Sequence, residues 1–351
     1  MPFIDLLSDT LTLPTPAMRE AMYKAEVGDS GRLGPDGRGE DPTVNRLEDR
    51  SAEVTGKEAA LFFQSGTGAN LAAILTHCGR GDTVACDPDL HVLRTEKAAF
   101  MDRFGGLKVA EYERDEAEMP DPASFAQACA RPGVRLACIE NTHNQAGGTC
   151  ITLERTLELA DIAKKHGMPV HLDGARLFNA AVALSVPVAS LAAGADSVQF
   201  CLSKGLGAPV GSVVCGSKEF IAALRDTRKI LGGVMRQAGI LAAAGLVALD
   251  DTSHLAEDHE NAKLLGAGLA AFPQFSITPV QTNIVMLDAA PGGKTGQWLE
   301  KKLLEYGVRA KDAGGSLVRL TVHRDLSRKD IETALAAFHK LVEENKADFT
   351  V

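Results

Sequence analysis

Apolar runs alternate with helical patterns through the middle of the chain. The runs that predict buried strands are AALFF (59–63), TVACD (83–87), RLACIE (135–140), PVHLD (169–173), DSVQFC (196–201) and GSVVCG (211–216). Between them, stretches such as LERTLELADIAKKHG show the apolar spacing of amphipathic helices. Strands that lack polar alternation and are separated by helices indicate an α/β fold, in which helices cover both faces of a mainly parallel sheet.

The pattern changes after about residue 250 and predicts a smaller α+β unit. Its elements are a long helix within SHLAEDHENAKLLGAGLAAF, the strand NIVML (283–287), a helix over 295–306, the strand SLVRLTV (316–322) and a final helix from Arg328. The start of the chain holds a helix around 16–26 and the long loop GDSGRLGPDGRGEDP, of a kind that is usually functional or mobile. We therefore predict an N-terminal segment with this loop (1–44), a large domain (45–250) and a small domain (251–351).

Composition narrows the class of protein. The chain has 351 residues, 45% of them hydrophobic and 24% charged, as in a soluble globular protein. Its net charge of −9 argues against nucleic acid or an anionic membrane as the main partner. The longest apolar stretch, GILAAAGLVAL, is too short to span a bilayer. The seven cysteines are scattered through apolar runs and no basic leader is apparent, so we expect a cytoplasmic protein without a signal peptide.

Candidate ligand-binding groups follow several of the predicted strands, where open α/β sheets bind ligands. The segment QSGTGANL comes directly after AALFF and opens a helix. The backbone N–H groups at such a helix start, near Gly66, form a phosphate site, and Thr67 adds a hydroxyl. The competing interpretation is a tight strand-to-helix link with no ligand.

A carboxylate and a lysine end two other strands. Asp173 follows PVHL, and a buried carboxylate needs a cationic partner, which is either Arg176, a helix N-terminus or the N–H of a bound pyridinium ring. Lys204 follows the next strand, between Ser203 and the flexible Gly205. It is either a surface lysine or, if desolvated in a cleft, a nucleophilic amine.

Two histidines also lie just beyond strand ends. His91 follows TVACD, and His143 follows RLACIE. Imidazoles exchange protons near neutral pH, although a lone histidine is more often a structural residue. No spacing typical of metal sites is present, so we expect no metal. A phosphate cradle, a carboxylate, a Schiff-base lysine and a stacking imidazole are together the parts that hold pyridoxal 5′-phosphate.

The chain resembles the bacterial low-specificity L-threonine aldolases, which belong to fold type I of the pyridoxal-phosphate enzymes. The resemblance covers nearly the whole chain. Its motifs are LLSDTLTLPTPAMREAM, EDPTVNRLE, GKEAALFFQSGTGANL, ENTHN, HLDGARLFNA, CLSKGLGAPVGS, GGVMRQAGILAAAG and VRLTVH. It implies a mainly parallel sheet of the seven-stranded type, a small C-terminal domain and a homotetramer built as a dimer of dimers.

The resemblance also implies roles for individual residues. Lys204 would form the Schiff base, Asp173 would pair with the pyridine nitrogen and His91 would stack on the ring. The remaining implied contacts are to the phosphate (Gly66, Thr67 and Arg236, the last possibly from a neighbouring subunit), to the substrate carboxylate (Ser8, Arg176 and Arg319) and to the substrate's β-hydroxyl (His143). Whether His91, His143 or a water molecule is the base stays open.

The function implied is the cleavage of L-β-hydroxy-α-amino acids, such as threonine, allo-threonine or a phenylserine-like substrate, to glycine and an aldehyde. The alternatives are a β-eliminating lyase on the same fold and a catalytically silent homologue. The sequence departs from the family in its longer loop, with Arg38 before Gly39, and in Leu93 and Thr95, where relatives often have tyrosines. These changes leave the preferred β-substituent open.

One helical pattern bears on assembly. GGVMRQAGILAAAGLVALDD predicts a long helix rich in small apolar residues nearly all round. Such a helix is buried either against another subunit or inside its own domain. The resemblance favours the first interpretation, and hence the oligomer.

Overall fold

A mixed β-sheet forms the centre of the larger of two units into which the chain divides. The structure is a computed structural model and describes residues 3–350. Within that range, the larger unit comprises Pro14–Gln145 and Cys150–Thr252, and the smaller comprises residues 3–13, Ala146–Thr149 and residues 253–350. The division of the sequence at residues 44 and 250 stays a prediction.

The strands are named in chain order. Their bounds are β1 (Ile4–Asp5), β2 (Ala59–Phe63), β3 (Thr83–Cys86), β4 (Lys108–Glu111), β5 (Val134–Glu140), β6 (Val170–Asp173), β7 (Ser197–Cys201), β8 (Ser212–Gly216), β9 (Ser276–Ile277), β10 (Ile284–Asp288), β11 (Val308–Arg309), β12 (Lys311–Gly314) and β13 (Leu317–Thr321). All the strands predicted from apolar runs are present, with bounds that shift by at most one residue at either end.

The helices are likewise named in chain order. They are α1 (Pro16–Lys24), α2 (Pro42–Thr55), α3 (Gly66–His77), α4 (Pro122–Cys129), α5 (Leu153–Lys165), α6 (Leu177–Leu184), α7 (Val188–Ala192), α8 (Lys218–Ile230), α9 (Gly239–Asp250), α10 (His254–Leu269), α11 (Gly296–Glu305) and α12 (Arg328–Glu344). Among the described residues, none of these helices is both long enough and apolar enough to cross a membrane.

The sheet of the larger unit has the order β2-β8-β7-β6-β5-β3-β4 over the described residues. Strands β4, β3, β5, β6 and β7 pair in parallel, whereas β8 is antiparallel to both of its neighbours, β7 and β2. Strands β6, β7 and β8 are buried along their whole length, as expected for a sheet covered on both faces. The predicted α/β fold is confirmed.

The smaller unit has an antiparallel sheet of order β12-β13-β10-β9, with β1 and β11 as a separate parallel pair. Helices α10, α11 and α12 contribute to its core, which includes Leu265, Leu299 and Phe338. This is the α+β architecture that the sequence predicts after residue 250.

The prediction of one long helix over residues 232–251 is wrong at its start. Helix α9 begins only at Gly239, because Gly232 and Gln237 adopt left-handed backbone conformations (φ 74° and 50°) that no α-helix contains. Helix α9 packs against α1 and α2 of the same chain. Its small-residue pattern is therefore explained by contacts within the chain, and by itself it does not indicate an oligomer.

The seven cysteines all lie within the described residues, and all are buried. Burial raises the pKa of the Cys215 thiol to about 12. The Cys215 thiol therefore stays protonated, and the buried cysteines serve as small core side chains.

Candidate active site

Helix α3 begins immediately after strand β2 and presents its N-terminus at the end of the sheet. Ser65 has extended backbone angles, and its hydroxyl accepts the N–H of Gly68 at 3.1 Å, which fixes the start of the helix at Gly66. The N–H groups of Gly66 and Thr67 lie in the first turn, where a helix offers no internal partner. Thr67 is exposed. This geometry suits an anion, and the binding of phosphate by Gly66 and Thr67 stays a prediction.

Gly66 also has a packing reason to be glycine. A Cβ at this position would lie 2.9 Å from the sulfur of Cys201 and 3.3 Å from the amide of Gln199. The start of α3 thus lies directly against strand β7. Any side chain would push the helix N-terminus away from the sheet.

Asp173 ends strand β6 and is 3% exposed. Its carboxylate accepts hydrogen bonds from the side-chain amide of Asn70 (2.9 Å) and from the backbone of Ala175 (3.1 Å). Burial, and then the nearby charges of Glu140 and Glu96, raise the pKa of Asp173 to about 7. A cation placed against this carboxylate would relieve that cost.

Lys204 and His91 belong to the electrostatic environment of Asp173, and both charges lower the pKa of its carboxyl. Lys204 is half-buried in a turn closed by the N–H of Gly207, which donates to the Lys204 carbonyl at 2.8 Å. Gly207 has φ 78°, which favours glycine there. The structure therefore brings together Lys204, Asp173 and His91, although they are far apart in the sequence.

His91 is held by two glutamates. Its ring Nδ1 lies 3.2 Å from Glu96, and this hydrogen bond, together with the charge of Asp173, raises the pKa of His91. Its backbone N–H donates to Glu140 at 2.6 Å, and the other oxygen of Glu140 accepts the N–H of Asn144 at 2.8 Å. Glu140 therefore connects the segment that carries His91 to the segment that carries His143.

His143 is 2% exposed, and its Nε2 lies 3.2 Å from the carboxylate of Asp87. Burial opposes charge on the imidazole, but the hydrogen bond to Asp87 and the charge of Glu140 outweigh it and raise the pKa of His143. The guanidinium of Arg114 lies 3.5 Å from the ring and 3.3 Å from Asp87. Asp87 and Arg114 also line a cleft of about 700 Å³, whose lining does not include Lys204.

The predicted arginines have different surroundings. Arg176 is buried, and its Nη1 donates to the side-chain oxygen of Asn144 at 3.2 Å, which places it beside the His143 segment. Arg236 is exposed and forms an ion pair with Asp29 in the loop over residues 28–41. The contact to Asp29 ties this loop to the segment that precedes α9.

Ser8 and Arg319 belong to the smaller unit. The hydroxyl of Ser8 accepts the N–H of Thr10 at 3.3 Å and caps a short 3-10 turn. Arg319 lies on the buried strand β13, opposite Met286 of β10, and is 7% exposed. The roles of these two residues stay predictions.

The long loop over residues 28–41 is anchored by hydrogen bonds. The hydroxyl of Ser30 donates to the carbonyl of Met235 at 2.7 Å, and Arg38 pairs with Asp49 of α2 at 2.8 Å.

Leu93 lies in a π-helical turn (Val92–Glu96) and packs on the apolar core, whereas Thr95 is exposed.

The sequence matches the family of beta-eliminating lyases over residues 5–291. It is 43% identical to low-specificity L-threonine aldolase 1 of Arabidopsis thaliana, over 96% of each chain. It is 36% identical to the low specificity L-threonine aldolase of Escherichia coli strain K12, over 95% of this chain and 97% of that relative. This chain belongs to the low-specificity L-threonine aldolase family.

The fold of this aldolase-family chain agrees with that assignment. A solved structure of the Leishmania major threonine aldolase superposes with a TM-score of 0.80, over 97% of this chain and all of that one, at 19% identity. The similarity in fold confirms the fold type I architecture, and the relatives confirm the family that the motifs indicate.

Several polar residues that this family member places around the site were not predicted from the sequence: Asn70, Asp87, Glu96, Arg114, Glu140 and His171. Two of them carried a signal. Glu140 ends β5 and Asp87 directly follows β3, so both obey the strand-end rule that identified Asp173. The others gave no signal of this kind, since Asn70, Arg114 and His171 have partners on distant segments and Glu96 lies in the turn after His91.

Proposed function

We propose that this protein binds pyridoxal 5′-phosphate and cleaves L-β-hydroxy-α-amino acids, threonine among them, to glycine and an aldehyde. One observation carries the proposal. In a chain of the threonine aldolase family, a buried carboxylate, a lysine and a histidine interact at the strand ends, next to a helix N-terminus fit for a phosphate. The bound cofactor would supply a ring that withdraws electrons from the substrate's Cα.

The residues fit that group in charge and in position. The Asp173 carboxyl has a pKa near 7 because it is buried among other acids, so a protonated ring nitrogen would stabilise its ionised form. The first turn of α3 and the hydroxyl of Thr67 would bind the phosphate. The amine of Lys204 would hold the cofactor covalently, and His91 would lie against its ring.

We assign the proton transfer to His143. It would take the proton of the substrate's β-hydroxyl on a ring nitrogen, while Asp87 holds the imidazole and stabilises its charged form. Arg176, beside the same segment, would bind the substrate carboxylate through its planar guanidinium. Orientation of the substrate by such contacts selects which bond to Cα breaks.

A covalent test addresses the cofactor. The protein is incubated with pyridoxal 5′-phosphate, reduced with borohydride, digested and examined by mass spectrometry. We expect the label on Lys204, and no label in Lys204→Ala although that variant keeps the melting temperature of the unchanged protein. A label on another lysine, or none, would refute the assignment.

A product test addresses the reaction. Incubation with threonine should yield glycine and acetaldehyde in equal amounts, whereas a β-eliminating lyase would yield a keto acid and ammonia.

Comparing kcat/KM for threonine and phenylserine tests which β-substituent the enzyme prefers, and we propose that the larger side chain is preferred. The resemblance supports this, since it implies tyrosines in relatives at the positions of Leu93 and Thr95.

We further propose a cytoplasmic homotetramer in which Arg236 reaches the phosphate of a neighbouring subunit. The exposure of Arg236 and the family resemblance support this. Sedimentation measures the assembly, and a mixture of Arg236→Ala and Lys204→Ala subunits tests sharing of the site. Restored activity in the mixture is expected if sites are shared, and a monomer would contradict the proposal.

A further inference from the structure

A chain of buried hydrogen bonds runs from Asp173 to the far end of helix α3. Asn70 bonds Asp173 at 2.9 Å, and His171 Nε2 lies 3.1 Å from the other end of the Asn70 amide. His171 Nδ1 lies 2.9 Å from the hydroxyl of Ser197, which lies 2.8 Å from Nε2 of His77. Asn70, His171 and Ser197 are at most 2% exposed, and His77 is half-buried.

Secondary structure alone aligns these side chains. Asn70 and His77 are seven residues apart on α3, so two helical turns place them on one face. His171 and Asp173 are two residues apart on β6 and share a face of the sheet. Ser197 of β7 is the direct register partner of His171. The same helix therefore offers its N-terminus to the phosphate site and its side chains to Asp173.

When Asp173 is ionised, each bond in the chain has only one possible direction. The Asp173 carboxylate accepts, so the amide nitrogen of Asn70 faces it and the amide oxygen faces His171. His171 must then carry its proton on Nε2, which leaves Nδ1 to accept the hydroxyl of Ser197. The Ser197 oxygen in turn accepts a proton from Nε2 of His77. Every donor points towards Asp173.

The two imidazoles are neutral. Burial and the neighbouring His77 lower the pKa of His171 to about 3, and burial lowers the pKa of His77 to about 4 despite the nearby Asp196. The chain therefore adds aligned dipoles to the site and no charge. At its outer end, the His77 ring stacks on Phe220 with centroids 4.4 Å apart, which fixes the last link.

The charged residues around Asp173 act on its ionisation in opposite directions, so further hydrogen-bond donors can shift the balance. Glu96 and Glu140 disfavour its ionised form, and Glu96 also lies 3.4 Å from the Asn70 amide. Lys204 and His91 favour the ionised form. A chain of donors directed at the carboxylate favours the ionised form of Asp173, as Lys204 and His91 do. It does so without bringing another charge into the core.

We propose that Asn70, His171, Ser197 and His77 are positioning residues that hold the Asp173 carboxylate ionised and in one orientation, ready to pair with a protonated ring nitrogen. This rests on the proposed function, since the ring is that of pyridoxal 5′-phosphate. None of the four touches substrate in this account. They act through Asp173.

NMR of the full-length protein without added cofactor tests this chain of hydrogen bonds directly. Histidine ¹⁵N spectra should show His171 and His77 as neutral Nε2–H tautomers that do not titrate between pH 5.5 and 8. Aspartate ¹³C spectra, assigned with Asp173→Asn, give the pKa of Asp173. Asn70→Leu should raise that pKa by about one unit.

Ser197→Ala is the second variant, because it removes one hydroxyl and disturbs packing least. It should leave His77 as a mixture of tautomers and weaken binding of pyridoxal 5′-phosphate by about tenfold. Ser51→Ala is the matched control, since Ser51 is equally buried in the larger unit but donates only to the carbonyl of Leu47 (2.7 Å). It should change none of these quantities.

Two results would overturn the inference. One is an Nδ1–H tautomer at His171, which would reverse the chain. The other is a pKa of Asp173 that stays unchanged in both Asn70→Leu and Ser197→Ala. A pKa that shifts as much in Ser51→Ala as in those two variants would count equally against the inference. Both readouts come from the protein without cofactor, so they stand or fall separately from the labelling of Lys204 that tests the proposed function.

Discussion

The two charged partners of His143 should move its pKa in opposite directions when each is removed. In Asp87→Asn the buried imidazole loses the carboxylate 3.2 Å away but keeps Arg114 at 3.5 Å, so its pKa should fall. In Arg114→Gln the repulsive charge goes and Asp87 stays, so the pKa should rise. Glu140 faces His143 in both variants and favours the charged imidazole in each.

The distances set the size of the effect. At an effective dielectric constant of about 20, charges 3.2 Å and 3.5 Å apart interact by about 5 kcal/mol each, with opposite signs. The hydrogen bond to Asp87 adds to the attraction, and together with the charge of Glu140 it keeps the pKa of His143 above its usual range. Since about 1.4 kcal/mol corresponds to one pKa unit, and relaxation takes up part of the loss, each variant should shift the pKa of His143 by at least about one unit.

The opposite pKa shifts expected for Asp87→Asn and Arg114→Gln can be measured in two ways. Proton NMR of the His143 ring gives the pKa without reference to any reaction. If His143 is the base, the acid limb of the pH profile of kcat/KM should move to lower pH in Asp87→Asn and to higher pH in Arg114→Gln.

Folding raises the pKa of His143, so its ion pair stabilises the fold below pH 6.5, and this stability is lost as the pH rises through the raised pKa.

The result that would refute this reasoning is specific. If both variants shift the pKa of His143 in the same direction, the ion pairs do not control it. If the NMR shifts are opposite but the pH profiles coincide, the electrostatic account stands and His143 is not the base.

Three further substitutions test packing and burial. Gly66→Ala should weaken binding of pyridoxal 5′-phosphate at least about tenfold, because its Cβ meets a cysteine sulfur at 2.9 Å. In Gly68→Ala the nearest atom is the Ser65 hydroxyl at 3.2 Å, a smaller conflict, so this control should bind much more tightly than Gly66→Ala in the same fluorescence titration. Asp258→Asn should stabilise the protein by roughly 4 kcal/mol at pH 8 in urea unfolding, since burial and a neighbouring aspartate raise the pKa of this carboxyl to about 7. The gain should nearly vanish at pH 4, and a gain independent of pH would contradict this explanation. Gly211→Ala should lower the melting temperature by several degrees, because φ is 114° and the Cβ would lie 2.5 Å from the ring of Phe62; an unchanged melting temperature would show that the loop adapts.

Much of the fold could be predicted from apolar patterns, and the errors have local causes. Strand β4 was not predicted because Lys108 and Glu111 are exposed at the sheet edge, and its apolar run is only two residues long. The antiparallel direction of β8 carries no signal in GSVVCG, since a strand buried on both faces has the same composition in either direction. The late start of α9 depended on two left-handed residues that composition does not reveal.

The sequence by itself determined the chemistry that is local in the chain: a glycine-opened helix after a buried strand, a carboxylate at the end of another strand and a lysine between flexible neighbours. Those patterns are readable because each depends on adjacent residues. Only the tertiary structure decided that Asp87 holds His143, and that Asn70 and His171 meet behind Asp173. These contacts join residues separated by 56 and 101 positions, and no local preference records them, because they arise when a helix face is laid across a sheet.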